Sequence, residues 1–348
     1  MYTVFNNGVL GIERGGIGAG FQFNGANGLY EGDLLIGQSA SQVSGVLYAR
    51  RDYRILDSLE PISSTLSGFD QTFETRFDDQ RALNPIGVEI TQRTHSKPTS
   101  PDDDYVIMDY DVLNNSGSDL TGIYIGLAMD WDVGTNDNNL GGYDAQRKTN
   151  YIYEVAEGQS NPNYYGMTAL SGNVSGQFLW NWYDESIEDE GSSDFLYQSM
   201  TSVSETPMDT ASDIRAILAT GPYDITAGSS VRAVFAILGG TDLADLQANA
   251  DAALGAFSVD VVIPTNEWVS FYGLSSTING SPFLEGTVVR AYDPDTVLCG
   301  ISTVTTAGAY GLMPVYRDDA TTTDVDEGAN PGDAITFTVN NFAVPESG

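Results

Sequence analysis

The chain is poor in the residues from which most active sites are built. It has one cysteine, Cys299, so no internal disulfide can form and no thiolate zinc site can be assembled. Its one histidine, His95, lies in the polar stretch Arg93-Thr94-His95-Ser96-Lys97-Pro98. A Ser-His-Asp arrangement on His95 exists on paper, but no G-x-S-x-G elbow accompanies it, so a histidine in a polar loop is the expectation. Cys299, within Val297-Leu298-Cys299-Gly300, reads as a small buried hydrophobe in a strand. Lysine is almost absent: Lys97 and Lys148 are the two, beside twelve arginines. No run of about eighteen apolar residues occurs, so no membrane-inserted helix is expected. Catalytic residues and organic cofactors are therefore not expected.

What the chain has is acid, glycine and tyrosine. Forty-eight acidic residues against fourteen basic ones leave a formal charge of −34, a field that repels phosphates and anionic lipid and argues against nucleic-acid partners. At 348 residues and 41% hydrophobic content the chain is long enough for two or three packed domains, at roughly 150 residues each. Thirty-eight glycines and nineteen tyrosines favour strands and turns. Met1-Tyr2-Thr3-Val4-Phe5 carries no basic leader and no long apolar stretch. The chain thus reads either as a cytosolic protein or as one whose signal has been removed, and the acidic, Gly/Thr/Asn-rich β composition favours export.

Strand patterns recur along the chain. Asn6-Asn7-Gly8 suits a hairpin, and Tyr30–Ile36 and Val43–Arg50 follow as strands. Ile86, Val88 and Ile90 alternate with polar residues, and Tyr105–Leu113 closes on the turn Asn114-Asn115-Ser116-Gly117. Ile123, Ile125, Leu127, Met129 and Trp131 share one face, with Gly126 and Ala128 opposite, which predicts a half-buried strand. Val231–Leu238 repeats the theme. Leu243, Leu246, Ala250, Ala253, Leu254 and Phe257 fall at helical spacing behind Thr241 and Asp242, predicting one helix over about 242–256 with Thr241 as its N-cap. The fold class expected is all-β. A large sandwich or jelly-roll-like domain, residues 1–262, carries the helix, and a small Ig-like or prealbumin-like sandwich, 263–348, follows.

Two stretches carry a resemblance. Gly286-Thr287-Val288-Val289-Arg290-Ala291-Tyr292-Asp293-Pro294, Thr305-Thr306-Ala307-Gly308-Ala309-Tyr310-Gly311 and Asn330-Pro331-Gly332-Asp333 resemble a small β-sandwich module of multidomain secreted bacterial proteins, similar to prealbumin-like and adhesin modules. Some modules of that type carry a Lys–Asn isopeptide bond; residues 264–348 contain no lysine to form one. The large part resembles a β domain found beside proteases and sorting domains in exported bacterial proteins. It does so through Leu29-Tyr30-Glu31-Gly32-Asp33-Leu34-Leu35-Ile36-Gly37, Asp104–Tyr110, Gly126–Gly134 and the helix Leu243–Ala253. Together they imply an extracellular or cell-surface location and accessory rather than catalytic modules.

Six constellations remain. Asp130, Asp132, Asp137 and Asp144 surround a Gly-containing loop whose oxygens suit calcium, although the spacing is not that of an EF-hand; a solvated acidic loop is the alternative. Asp318, Asp319, Asp324, Asp326, Glu327 and Asp333 form a second acidic loop, and Asp184, Glu185, Glu188, Asp189 and Glu190 a third, solvated one. Trp180 and Trp182, alternating with Leu179, Asn181 and Tyr183, would make a glycan platform if exposed and a core strand if not. Asn114, Asn173 and Asn279 begin glycosylation sequons. Finally, Tyr2, Thr3, Val4 and Phe5 belong to an uncharged leader that could donate a strand to a neighbouring copy, or form a hairpin in its own domain. The function expected is a structural subunit of an extracellular filament or surface assembly, polymerising with copies of itself by strand pairing. An adhesin or glycan-binding module is the alternative, and a glycoside hydrolase using an unassigned carboxylate pair is the third.

Overall fold

The computed structural model describes residues 2–12, 18–45, 51–64, 66, 68–100, 102–184, 187, 189, 191–257, 262–278, 281–285, 287–294, 297–322, 326–339 and 342–347. The chain divides into two compact units, Met1–Leu254 and Gly255–Gly348. It is all-β with antiparallel sheets, and the described residues contain two helices where the sequence pattern predicted one.

The first unit begins with β1 (Val9–Gly11), a small hairpin of β2 (Gln22–Phe23) and β3 (Ala26–Asn27), β4 (Leu29–Ser39) and β5 (Gln42–Ser44). A meander follows: β6 (Arg54–Ile62), β7 (Gln71–Asp78), β8 (Val88–Ser96) and β9 (Tyr105–Asn114). Then come β10 (Leu120–Trp131), β11 (Asn139–Asp144), β12 (Thr149–Glu154), β13 (Tyr164–Ala169), β14 (Val174–Asn181) and helix α1 (Ser193–Met200). The last elements are β15 (Met208–Ser212), β16 (Ile214–Ile225), β17 (Ser230–Gly240) and helix α2 (Leu243–Phe257).

These strands make two main sheets. One has the order β1-β4-β10-β16-β14 with β5 on β4; the other is nine-stranded, β15-β11-β12-β13-β17-β9-β8-β7-β6. Their facing sides form one core. Leu34, Ile125, Leu127 and Leu218 of the first sheet belong to the same buried cluster as Ile90, Tyr110, Tyr165 and Phe235 of the second. This is the packing of a β-sandwich, in which alternate residues of each strand fill the space between layers.

Strand β10 corrects the half-buried expectation. Ile123, Ile125, Leu127, Met129 and Trp131 do face the main core. The opposite side is buried as well, because α1 lies over it and Ala128, Trp180, Ile217, Ala219, Leu196 and Met200 form a second core. Gly176 on β14 makes that docking possible: a Cβ there would collide with the backbone of Ser199 and Met200. α1 escaped the sequence reading because it is only two turns long; Ser192 caps it by accepting from Phe195 N at 3.2 Å. For α2 the cap shifts by one residue: Asp242 Oδ1 accepts from Asp245 N at 2.9 Å, while Thr241 donates to Asp245.

Residues 2–11 are engaged within their own unit. Val9–Gly11 pairs with Glu31–Asp33 of β4, Tyr2 bridges Phe21 and Val4 bridges Leu10. Thr3 N donates to Gly20 O and Phe5 N to Val9 O, and Tyr2, Val4 and Phe5 pack on the core. Gly8, at φ +87°, supplies the left-handed residue that the Asn6-Asn7-Gly8 turn requires. Tyr2, Thr3, Val4 and Phe5 thus follow the hairpin alternative in this structure. Of the strand expected at Val43–Arg50, only Gln42–Ser44 is described as strand, and residues 46–50 lie outside the described residues.

The second unit contains β18 (Trp268–Gly273), a hairpin of β19 (Thr277–Ile278) and β20 (Ser281–Pro282), β21 (Val288–Tyr292), β22 (Leu298–Thr303), β23 (Gly311–Tyr316), β24 (Thr336–Val339) and β25 (Phe342–Ser347). A four-stranded sheet, β22-β21-β24-β25, and the pair β18-β23 share a core of Phe283, Val289, Cys299, Met313, Val315 and Ile335. The Asn330-Pro331-Gly332-Asp333 turn leads into β24 as its residues suggest: Asp333 N donates to Asn330 O, and Asn330 N to Asp333 Oδ2. No helix among the described residues is long and apolar enough to cross a membrane.

Candidate functional site

The most unusual chemistry lies at the end of β10. Antiparallel register places Asp130 between Glu31 of β4 and Arg215 of β16, and Arg215 in turn beside Trp180 of β14. Asp132 and Asp213 join them, so that three carboxylates offer oxygens within 4.8 Å of one another. Arg215 Nη2 donates to Asp130 Oδ2 at 3.0 Å and Nη1 to Asp213 Oδ1 at 3.1 Å. Its guanidinium also lies 3.8 Å from the centre of the Trp182 ring, a cation–π contact.

One guanidinium among this much acid leaves an excess of negative charge out of water. Burial raises the Asp130 carboxyl first; Arg215 opposes this and Asp132, Asp213 and Glu31 reinforce it, leaving it pushed up to about 8. Burial, together with Asp213, lifts Asp132 to about 6, and Asp213 is raised for the same leading reason. Such a group of hard oxygens holds either protons or a hard cation of the calcium type.

The membership differs from the sequence expectation. Asp144 is not in the cluster: Arg147 and Gln247 donate to its Oδ2 at 3.0 and 2.9 Å. Asp137 sits in a 3-10 turn, Asn136–Asn138, near enough to raise Asp132 and Asp213 electrostatically. Asp213 was missed because it enters from the start of β16, far along the chain; the triplet Asp213-Ile214-Arg215 at a strand opening is the local signal.

Trp180 and Trp182 do not form a platform. Trp180 is buried in the second core against Phe195, ring centres 5.4 Å apart. Strand β14 ends at Asn181, so the alternation stops there and Trp182, 42% exposed, turns to cover Arg215. Among the sequons, Asn114 is corrected: it is fully buried, with Nδ2 donating to Ser118 O and Ile225 O at 2.7 Å each, so no glycan can reach it. Asn173 is exposed in a turn, and Asn279 lies outside the described residues.

His95 is not in a loop. It is the fully buried penultimate residue of β8, with Nδ1 2.9 Å from Thr72 Oγ1 and Nε2 3.4 Å from Asp109 Oδ2. Asp109 accepts two bonds from Arg232; these and His95 outweigh burial and bring its carboxyl down to about 2. The hydroxyl, imidazole and carboxylate line up, but Thr72 is 2% exposed, which makes the array a structural network rather than a nucleophile. Cys299 is buried and its thiol is pushed up to about 11 by burial, so it is not an activated thiolate. In the second acidic loop, Glu327 accepts from Thr322 and Asp319, Asp319 from Thr321, and Asp333 from Asn330. These carboxylates are used in local turns. Asp324 and, in the third loop, Glu185, Glu188 and Glu190 lie outside the described residues.

No protein-family model and no curated protein matches this chain. Among solved structures, a bacterial glucoamylase complexed with acarbose is similar over 73% of this chain, with 12% identity and a TM-score of 0.50. A polysaccharide lyase is similar over 91% with 13% identity and a TM-score of 0.28. A lysyl oxidase from Pichia pastoris is similar over 69% with 10% identity and a TM-score of 0.32. This chain spans 32%, 38% and 50% of those three chains respectively. At these identities the first likeness speaks for a shared fold alone, and the other two carry no argument. Fold and site together define an all-β protein with a large antiparallel sandwich, a small second sandwich and a buried acid–arginine cluster.

Proposed function

We propose that this protein is a structural subunit of an extracellular bacterial filament or surface assembly, joined to copies of itself by β-strand pairing. The observation that supports the reading best is strand β18 with its partner β23. Register puts Trp268 opposite Tyr316 and Tyr272 opposite Leu312 on one side of this pair, while Phe271, Met313 and Val315 belong to the core on the other. Trp268 is 57%, Tyr272 66% and Leu312 73% exposed. Among the described residues β18 pairs with β23 alone, so one edge of an apolar strand stays open. Natural proteins usually blunt such edges with charge or proline, because an unpaired apolar edge recruits another strand.

Residues 268–274 carry no charge in a chain of −34, so pairing there brings no like charges together. The acceptor in this reading is the Arg54–Leu56 end of β6, the strand that ends the nine-stranded sheet; Ile55 and Leu56 are exposed there, ahead of the Asp57, Glu60 and Pro61 that blunt the rest of the edge. Joining a second-unit edge to a first-unit edge is a heterologous contact, and such contacts generate open polymers when the rotation does not close. The strand donor expected from the sequence, Tyr2–Phe5, is not required.

Negative-stain microscopy and sizing at low and high salt test the proposal, since screening weakens the repulsion between copies. Polymers or oligomers that grow with salt, and disperse in Tyr272→Lys with unchanged melting, are the expected result. A wild type that stays monomeric at high salt and high concentration overturns it.

A further inference from the structure

A groove of about 490 Å³ opens at one end of the first unit, between the N-terminal stretch with the β2–β3 hairpin and the inner face of the nine-stranded sheet. In the sandwich centre that inner face is apolar: Val88 and Ile90 of β8 and Phe77 of β7 belong to the core. Toward the groove the same alternation continues as Gln92, Thr94 and Ser96 on β8, and as Thr75, Phe73 and Gln71 on β7. Cross-strand pairing sets Phe73 beside Thr94 and Gln71 beside Ser96, with Ser96 Oγ donating to Gln71 Oε1 at 3.4 Å. The layer therefore ends in one aromatic ring surrounded by amide and hydroxyl groups, where a sandwich that only needed closing would carry aliphatic side chains.

Phe73 is 39% exposed, so its ring is available. Asp103 and Asp104 line the same groove; Lys97, the lone cation among its lining residues, is bound to Asp102 at 2.6 Å. The local field is negative, which turns away phosphates, sulfates and uronic acids. Deeper along the face, the Gln92 amide and the hydroxyl of its cross-strand partner Tyr110 are buried with no hydrogen-bond partner among the described residues. The Tyr2 hydroxyl, on a residue that lines the groove, is in the same position beside Tyr110. Buried polar groups of this kind are ordinarily met by a partner such as ordered water, and the water that accompanies a hydroxyl-rich ligand at the groove is of that kind.

We propose that this groove binds a neutral saccharide, stacked on Phe73 and held by Gln71, Ser96, Asp103 and Asp104. A pyranose presents an apolar C–H face and a rim of hydroxyls that donate to carboxylates and exchange bonds with amides. That is the complement of the exposed Phe73 ring, which shares the groove with Phe21, Phe23 and Tyr105 and stands beside acids and amides, and the volume lies in the range of small-ligand sites.

The test is capture of the purified full chain on an array holding neutral and acidic oligosaccharides, followed by calorimetric titration of the best neutral trisaccharide. Neutral glycans are expected to be captured and acidic ones not. Phe73→Ala and Gln71→Ala, both exposed positions, should each weaken binding about tenfold or more at unchanged circular dichroism. Trp182→Ala, outside the groove, should bind as wild type. Gln71→Ala carries the test if Phe73→Ala does not fold. An array without neutral capture, preferential capture of acidic glycans, or wild-type affinity in the groove variants overturns the proposal.

Discussion

Raising the pH from 6 to 8 in the presence of chelator should destabilise the first unit, because of Asp130. Its carboxyl is raised from an ordinary value of 3.8 to about 8 by burial and by its acidic neighbours. A group raised in the folded state contributes stability that is complete below the unfolded value and is lost as pH climbs through the folded one. Between pH 6 and 7 the folded chain holds a proton at Asp130 that the unfolded chain has released, costing about 1.4 kcal/mol per unit and tapering toward pH 8. The total over the interval is on the order of 2 kcal/mol, or about 4–8 °C in melting temperature for a unit of this size. Asp109, lowered to about 2, acts in the opposite sense only in strong acid, outside this window. Differential scanning calorimetry at pH 6, 7 and 8 reads the effect. Asp130→Asn, which can still accept from Arg215 but cannot ionise, should flatten the slope. Millimolar calcium should restore the lost stability at pH 8 by replacing the proton among Asp130, Asp132 and Asp213. Melting that stays level or rises between pH 6 and 8 in chelator would refute the charge argument. Calcium that leaves the pH 8 value unmoved would remove the metal reading alone.

The two tryptophans should behave oppositely: Trp180→Ala loses about 3–5 kcal/mol in denaturant unfolding, while Trp182→Ala, half exposed, loses a small fraction of that. Asn114→Ala should cost about 1–3 kcal/mol by stranding the carbonyls of Ser118 and Ile225, and peptide mapping of native material should find Asn114 unmodified. Gly176→Val should push α1 off the sheet; hydrogen exchange over residues 193–200 would rise sharply while exchange in the nine-stranded sheet stays slow.

Local pattern alone was enough for much of the fold. Period-two alternation in 123–131 gives the strand and its core face, helical spacing after Thr241 gives α2 to within a residue or two, and Asn-Pro-Gly-Asp gives its turn, because each depends on neighbours in the chain. What lies across a strand was invisible. Whether the far face of β10 meets water or a helix depends on α1, some sixty residues later and too short to announce itself by periodicity. The acidic cluster was legible by half: Asp130 and Asp132 stand together in sequence, but Asp213 and Arg215 join them through the β10–β16 register, and Asp144, closer in sequence, is drawn away by Arg147. His95 reads as a loop residue because its neighbours are polar. It is buried because sheet pairing sets Thr72 and Asp109 around it and Phe69 packs on its ring, partners that no spacing along one strand specifies. Composition decided the sign of the field and the all-β class; only the pairing of distant strands decided which polar groups are buried, and burial sets their chemistry.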